Sequence, residues 1–593
     1  MDVKLAKPPL PLNGVHWSSA NRWIIGTSAQ AFIIAPQFTV AGGIPTKHEV
    51  CAAIESTQNI EAVCVLDELP ASFPFPNALV LLASDSTIRI FASKKNPELE
   101  NWQEVGSGRF ERGAEHICSI ASVVMAAPHG DAMPVVACGS MGGSVSLVGL
   151  GVTDEDADTI GSTSVLKFAA CRSAVSYLAW LPDAQRQNPA DMCVLAVGAA
   201  DGTVQLWGVA RDLSQASVLS TICERDWRPV TAHGVAKDLL ILVKLGQVIT
   251  IDLRDIHNPT VQSVALGVTQ TIVTCVIDER RDRAYIGTYN FEIIVLGRQN
   301  GQWYRATEEE TPLREAMKKT IVRSFTTKFN MQRLFLRGMM VSQNGRYLTF
   351  VADDQVNWDV LRDGAEVTRI HFHQLGDWTL DDSKRVLEQI ATGGYHGNLR
   401  YNLWDVLDGE SADSIGALAK YLSQKCTLGS AGERQQWRFM LSLVGSILED
   451  DQYKSLVAEA RSQALDHHVK GLFDYISLML RDSKYTVTDE DQVYLAQLHW
   501  AVHQPAYADI IGHLPVVMDN SNEITEGDCP VCHMDVCSVT LAILKSPGSD
   551  QCSTCMAKRK HVDVGHPESL AGTILTKFPQ CPFCKGRFYP AVV

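Results

Sequence analysis

The feature that most constrains this chain is a strand–turn–strand pattern that recurs from Trp23 to Asp363. In "VLAVGAADGTVQLWGV" (Val194–Val209), an apolar stretch meets Asp201-Gly202 and a second alternating stretch follows. Asp-Gly between two such stretches is a strong hairpin signal, because both residues accept the positive φ of a tight turn. "LVLLASDSTIRIFAS" (Leu79–Ser93) and "VVACGSMGGSVSLVGLG" (Val135–Gly151) repeat it, with Asp85-Ser86 and Gly142-Gly143 at the turns. Looser copies are "WIIGTSAQAFIIAP" from Trp23, "LLILVKLGQVITIDLRD" from Leu239, "AYIGTYNFEIIVLG" from Ala284 and "RYLTFVADDQVNWDVLRD" from Arg346. Copies about 45–65 residues apart suit blades of four short strands with variable loops. Seven copies predict a seven-bladed, WD40-like β-propeller over residues 1–375, whose closed ring leaves no long sheet edge exposed. The competing arrangement is a β-sandwich or several small β domains.

Propellers mostly bind other proteins, and an enzymatic one would gather acids, histidines or metal ligands at one mouth. Here the histidines are dispersed, and "HFH" (His371–His373) reads as the end of the last blade. The cysteines before Cys529 sit mostly inside apolar strand sequence, as in "TIVTCVID" around Cys275, and behave as small buried hydrophobes. The amino terminus lacks a secretory apolar core, and no run is long and apolar enough to cross a membrane. The thiols are therefore read as reduced or metal-bound, not as a disulfide framework.

Beyond Leu375 the period changes. "RQQWRFMLSLVGSILEDD" places Trp437, Met440, Leu441, Val444, Ile447 and Leu448 on one helical face. "DHHVKGLFDYISLMLRD" does the same with Val469, Leu472, Phe473, Ile476 and Leu480, and "DEDQVYLAQLHWAV" opens with acids in its first turn. Residues 376–520 are expected to form an α-helical connector. His467-His468 point to different helix faces, which argues against a shared metal.

Of the 16 cysteines, Cys529, Cys532, Cys537, Cys552, Cys555, Cys581 and Cys584 crowd the end of the chain. Three Cys-x-x-Cys pairs within one short segment predict a small zinc-binding domain over 526–593, because a two-residue spacer lets both thiolates of a turn face one tetrahedral ion. Two structural zinc ions are expected: Cys529, Cys532, Cys552 and Cys555 on the first, and Cys537, His566, Cys581 and Cys584 on the second. His533 and His561 remain alternatives to His566. Filled coordination shells leave no open position for water, so the metal would be a staple supplying much of the tail's folding free energy.

The net charge of −15 also bears on partners. From Glu526 to Val593 there are 7 Lys/Arg against 6 Asp/Glu, about +1, which leaves about −16 on the remainder. An acidic body is a poor polyphosphate ligand, so any work at nucleic acid is expected to be mostly indirect, through partner proteins.

The order propeller, helices and cysteine tail resembles the 90K-type (delta) subunit of transcription factor IIIC. The residues that carry the resemblance are "CPVC…CSVTLAIL…QCSTCMAKR" (Cys529–Arg559) and the closing "FPQCPFCKGRFYP", with a looser likeness in "GVHWSSANRWIIGTSAQAFII" (Gly14–Ile34). The family's usual Cys and Gly-His after the first pair are replaced here by "HMDV", and Gly565-His566 comes later. The resemblance implies a nuclear scaffold that docks partner subunits for RNA polymerase III transcription of tRNA-type genes, with no membrane and no small-molecule substrate. Acetyltransferase activity is associated with that family, but no Gly-rich acetyl-CoA loop is present here, so enzymatic activity is not predicted. Two other classes stay open: a RING-like ubiquitin ligase, suggested by Val531 and Pro582 inside their cysteine pairs, and a trafficking or signalling scaffold of the same layout.

Overall fold

The computed structural model describes most of residues 3–445, apart from loops of which 6–13, 38–46, 94–101, 182–191, 325–333, 355–366 and 393–402 are the longer ones. Beyond 445 it describes 455, 459–460, 468–469, 471–480, 491, 549–552, 558–560, 569–577 and 588–590. Two compact units are present, one ending at Trp378 and the other running from Thr379.

The first unit is a seven-bladed β-propeller. Six blades are consecutive four-stranded antiparallel meanders. Blade 1 holds β2 (Val15–Trp17), β3 (Trp23–Gly26), β4 (Gln30–Gln37) and β5 (Lys47–Glu55). Blade 2 holds β6 (Ile60–Leu66), β7 (Ala78–Ala83), β8 (Thr87–Ser93) and β9 (Trp102–Arg109). Blade 3 holds β10 (Ile117–Met125), β11 (Met133–Ser140), β12 (Ser144–Val152) and β13 (Ile160–Ala169). Blade 4 holds β14 (Val175–Trp180), β15 (Met192–Ala199), β16 (Val204–Ala210) and β17 (Ala216–Cys223). Blade 5 holds β18 (Ala232–Ala236), β19 (Leu239–Lys244), β20 (Gln247–Asp252) and β21 (Thr260–Ala265). Blade 6 holds β22 (Ile272–Asp278), β23 (Arg283–Thr288), β24 (Ile293–Gln299) and β25 (Gln302–Arg305).

Blade 7 breaks the rule. It takes β26 (Leu334–Val341), β27 (Tyr347–Asp354) and β28 (Val367–Gln374) from the end of the propeller sequence and β1 (Val3–Leu5) from the start. Val3, Lys4 and Leu5 pair antiparallel with Ile370, Arg369 and Thr368, which closes the ring.

Each sheet is covered on both faces, and this is why its inner strands read as apolar runs. In β7, Leu79 and Leu81 enter the core shared with blade 1, while Val80 and Leu82 enter the core shared with blade 3. Among the described residues there is one such cluster between every neighbouring pair of blades. Outer strands have one face in water: β21 (TVQSVA) exposes Thr260, Val261, Ser263 and Ala265. Of the nine cysteines before the tail, six are buried among these strands, Cys118 and Cys171 are half-buried, and Cys426 is buried at the end of a helix in the second unit. Burial pushes the Cys64 and Cys275 thiols up to about 12, so they are neutral packing groups.

One element departs from the expected all-strand reading. Helix α1 (Thr307–Ser324) is inserted between blades 6 and 7. Met317 and Ile321, one turn apart, are fully buried in the core those blades share, with Leu313 packed beside them. Its acidic first turn is pinned to blade 6 by Arg283–Glu309 and Arg305–Glu310, each pair at 2.7 Å. The second strand of the last sequence copy also differs: the pattern places it soon after Asp354, whereas the strand that pairs with β27 is β28.

In the second unit, helices α2 (Leu380–Thr392), Ala412–Lys425 and Ala431–Gly445 pack together. Tyr421 Oη and Lys425 Nζ both donate to Glu388 Oε1, at 2.6 and 2.8 Å, and Tyr421 meets Trp437 edge to face. Trp437, Met440, Leu441 and Val444 are buried as the periodicity predicts, as are Val469, Leu472, Phe473 and Ile476; Ile447 and Leu448 lie outside the described residues.

His371 in β28 is buried and stacked on Phe350, ring centroids 5.1 Å apart, and burial pushes its pKa down to about 3. It is therefore neutral in the fold but protonates near its ordinary value, about 6.5, once unfolded. Its contribution is complete above that pH and is withdrawn as pH falls towards the folded value. Acid should lower the thermal midpoint below about pH 6.5, by an effect on the order of 2–4 kcal/mol at full protonation. His371→Phe, which can keep the stack, should flatten that decline in a pH series of melting curves.

Candidate interaction face

In a four-strand meander, the turn between the second and third strands and the loop leading to the next blade emerge on the same face. On that face the turn carbonyls accept N–H groups from the following inter-blade loop. Ala29 O takes Ser56 N, Gly143 O takes Ala170 N and Cys171 N, and Asp201 O takes Asp226 N and Trp227 N. Gly246 O takes Leu266 N, and Tyr289 O takes the N–H of Leu336 from the first strand of blade 7. The hairpin turns legible in the sequence are thus also the couplings between blades. Gly202 has φ +90°, and a Cβ there would lie 1.9 Å from Asp226 Oδ1, so only glycine fits.

The densest part of this belt lies at blades 4 and 5. Lys244, at the end of β19, has no exposed side chain; its Nζ donates to Gly202 O at 2.5 Å and to Asp226 Oδ1 at 3.1 Å. Asp226 also accepts Arg228 N at 3.0 Å, and Asp201 Oδ1 accepts Thr203 N at 3.1 Å. For both aspartates burial acts to raise the pKa, yet these hydrogen bonds and nearby cations hold it below the ordinary value. Above this base stands Trp227, 67% exposed and at φ +59°, with the Arg225 guanidinium 3.9 Å from its ring centroid. Met141 and Leu245, each 58% exposed, sit at the turns of blades 3 and 5 on the same face.

The first strands of neighbouring blades line the centre. They lack a ladder partner on their inner side, so side chains of adjacent blades satisfy some of their backbone groups. Ser122 Oγ donates to Val65 O at 2.6 Å, Ser119 Oγ to Val175 O at 2.8 Å, and Trp180 Nε1 to Ala121 O at 3.3 Å. Thr274 Oγ1 accepts Met339 N at 3.1 Å, and His16 Nε2 meets Val63 O at 2.9 Å. A cavity of about 370 Å³ opens between blades 1, 5, 6 and 7, lined by His16, His233, Thr274, Arg337 and Met340 among others. His233 packs on Tyr177, 4.7 Å between centroids, and burial together with the neighbouring His16 pushes its pKa down to about 4. Arg337 then supplies the cavity's permanent charge, 5.0 Å over the Tyr289 ring. Among the described residues, no group of three His, Cys, Asp or Glu side chains converges as a metal site would require.

Of the predicted zinc ligands, only the backbone of Cys552 is described. It ends β29 (Ser549–Cys552), the central strand of a three-stranded sheet with β30 (Lys558–Lys560) and β31 (Phe588–Pro590). Cys552 pairs with Phe588. Cys529, Cys532, Cys537, Cys555, His566, Cys581 and Cys584 lie outside the described residues, as do the alternatives His533 and His561. Between them the tail contains helix Leu570–Lys577, with Leu570, Ala571, Ile574 and Leu575 buried. Its Leu570 N–H donates to the buried carboxylate of Asp491 at 2.7 Å, a cap supplied from the helical segment.

Sequence reasoning found the Asp201-Gly202 turn but not the residues around it. The available signal was "RDWRP" (Arg225–Pro229), a tryptophan between arginines in a short loop joining two strands.

No family model matches the chain, and no curated protein does. Among solved structures, it is similar to a chain in the crystal structure of the Mitotic Checkpoint Complex, at 13% identity and TM-score 0.37, covering 63% of this chain and 94% of that one. It is also similar to Saccharomyces cerevisiae Sqt1, at 10% identity and TM-score 0.38, covering 61% of this chain and 83% of that one.

Replacing Lys244 with Ala would leave Gly202 O and Asp226 without their shared donor. We expect a loss of about 2–3 kcal/mol, at the low end for a broken buried pair because Asp226 is partly solvated. Urea unfolding should show a lower midpoint at unchanged slope, and Gly202→Val should act in the same direction.

Proposed function

We propose that this protein is a non-catalytic scaffold subunit of the transcription factor IIIC complex, working in the nucleus. It would dock partner subunits for RNA polymerase III transcription of tRNA-type genes. The seven-bladed propeller is a fold typical of protein-interaction roles, and this supports the scaffold part of the reading. The observation that carries the identification is the motif set "CPVC…CSVTLAIL…QCSTCMAKR" and "FPQCPFCKGRFYP", at the end of a chain that begins with a propeller. A net charge of −15 agrees with indirect nucleic-acid contact, because an acidic body repels phosphate unless partners supply the basic surface.

The tail would hold two structural zinc ions on Cys529, Cys532, Cys552 and Cys555 and on Cys537, His566, Cys581 and Cys584. The donor set, mostly thiolates with one imidazole, suits tetrahedral zinc. The Cys552–Phe588 pairing also fits, since it brings the strand just after Cys584 back beside the strand that ends at Cys552. The metal would fix the tail's shape, and no reaction is assigned to it.

Affinity purification of the tagged chain from nuclear extract tests the assignment: polymerase III factors should co-purify. Vesicle-coat proteins in their place, or ubiquitin chains formed with a conjugating enzyme, would replace it. Elemental analysis should find about two zinc ions per chain, and Cys529→Ser should release about one while the propeller still unfolds cooperatively. Metal-free protein would remove the zinc assignment.

A further inference from the structure

We infer that the belt at blades 4 and 5 is a docking site for a short acidic segment of a partner protein bearing one large apolar side chain. The inference rests on reading the propeller as a docking platform and names what that platform takes.

The backbone of Trp227 supplies the first argument. A bulky residue at φ +59° is strained, and such strain persists only where the surroundings impose it. Here Trp227 N donates to Asp201 O at 2.7 Å, Arg228 N donates to Asp226 Oδ1 at 3.0 Å, and Lys244 fixes Asp226 from below. The result is a rigid tryptophan held out in water, with its ring orientation set by Arg225. Leu213 and Phe291 share this φ but bury their side chains in the core, whereas Trp227 combines it with a ring left in water. Rigid, pre-oriented tryptophan and arginine are the side chains that most often dominate binding energy at protein interfaces.

Charge decides the partner. Asp201 and Asp226 direct their carboxylates at backbone N–H groups and at Lys244, and their side chains are only 10% and 24% exposed. Arg225 and Arg228 also approach those aspartates, at 3.7 and 3.2 Å, but remain 57% and 43% exposed. Solvent therefore meets the guanidinium groups, with exposed Arg172 in the preceding inter-blade loop. Exposed Glu224, next to Arg225, offsets part of this charge, but three exposed arginines against one exposed carboxylate still leave a small basic spot on a chain of net charge −15, too small to grip a nucleic-acid backbone but matched to a few carboxylates. Leu245, 58% exposed at the adjacent turn beside Lys244, adds the apolar contact an anchoring side chain needs.

The test uses the purified full chain and a fluorescein-labelled peptide in which glutamates flank a single leucine, read by anisotropy beside its glutamine and lysine counterparts. The glutamate peptide should bind best, more weakly as salt rises, and Trp227→Ala or the Arg225→Ala/Arg228→Ala pair should weaken it by about tenfold or more. Trp227→Gly should lose binding to the same degree while its thermal midpoint stays level or rises, because glycine adopts this φ without strain. Equal binding of the glutamine peptide, no measurable binding, or unchanged affinity in the variants would overturn the site. So would tighter binding of a single-stranded oligonucleotide, or self-association that the Trp227 variants abolish. If the peptide binds but polymerase III factors do not co-purify, the complex is misassigned and the site stands. If those factors co-purify equally with Trp227→Ala and the peptide does not bind, the site falls and the complex stands.

Discussion

The propeller depends on one pairing, the three residues Val3–Leu5 laid against Thr368–Ile370. Without them β28 would present an unpaired edge. The pairing is short, but it does not act alone. Trp23 is fully buried at the same joint with Ile25, Ile34, Val351 and Ile370, and Phe372 packs 5.1 Å from its ring. Backbone pairing sets the register, and apolar burial supplies most of the free energy. Once the joint is closed, every blade has two neighbours and every core has two walls.

Closure also sets what the two ends of a blade can do. Towards the centre, first strands satisfy backbone groups through serine, threonine and tryptophan side chains from a neighbouring blade, as in Ser119–Val175 and Trp180–Ala121. At the turns, carbonyls such as Gly143 O and Asp201 O draw the following loop onto the blade before it. Among the described residues these bonds tie the turns of blades 1, 3, 4, 5 and 6 to the segment that follows each blade, so these hairpins are not independent. Turns tied in this way can hold Trp227 in a conformation that an isolated loop would relax.

The second unit follows a different logic. Its helices are joined by side-chain contacts spaced at helical intervals, with Glu388 receiving both Tyr421 and Lys425. The tail takes part in it, because Asp491 caps the helix that begins at Leu570. Some of the order in the cysteine-rich segment therefore comes from packing and capping, beside whatever metal contributes. The sequence assigns most of the tail's folding free energy to metal, because so short a segment buries little apolar area; Leu570, Ala571, Ile574 and Leu575 form too short a run to announce the helix that adds to it.

Local pattern was enough to read six of the seven central hairpins, and the first strand of the seventh, since a strand buried on both faces must be apolar throughout and its turn must accept positive φ. Blade count and closed architecture followed from repetition, and the buried helical faces from a change of period. The order of strands across blade 7 was not available, because a pairing between residue 3 and residue 370 leaves no trace in either segment alone. Helix α1 was missed for a related reason: its buried stripe of Leu313, Met317 and Ile321 is one side chain wide, and only the gap between blades 6 and 7 makes it a core. Lys244 and Trp227 show the limit most sharply. Composition would put the lysine in water and the tryptophan inside, and the fold does the reverse, because a carbonyl 42 residues away needs a donor and a strained loop holds the ring outward. Side-chain periodicity is a local property, whereas the burial of one particular group is set by whichever distant atoms the closed ring brings beside it.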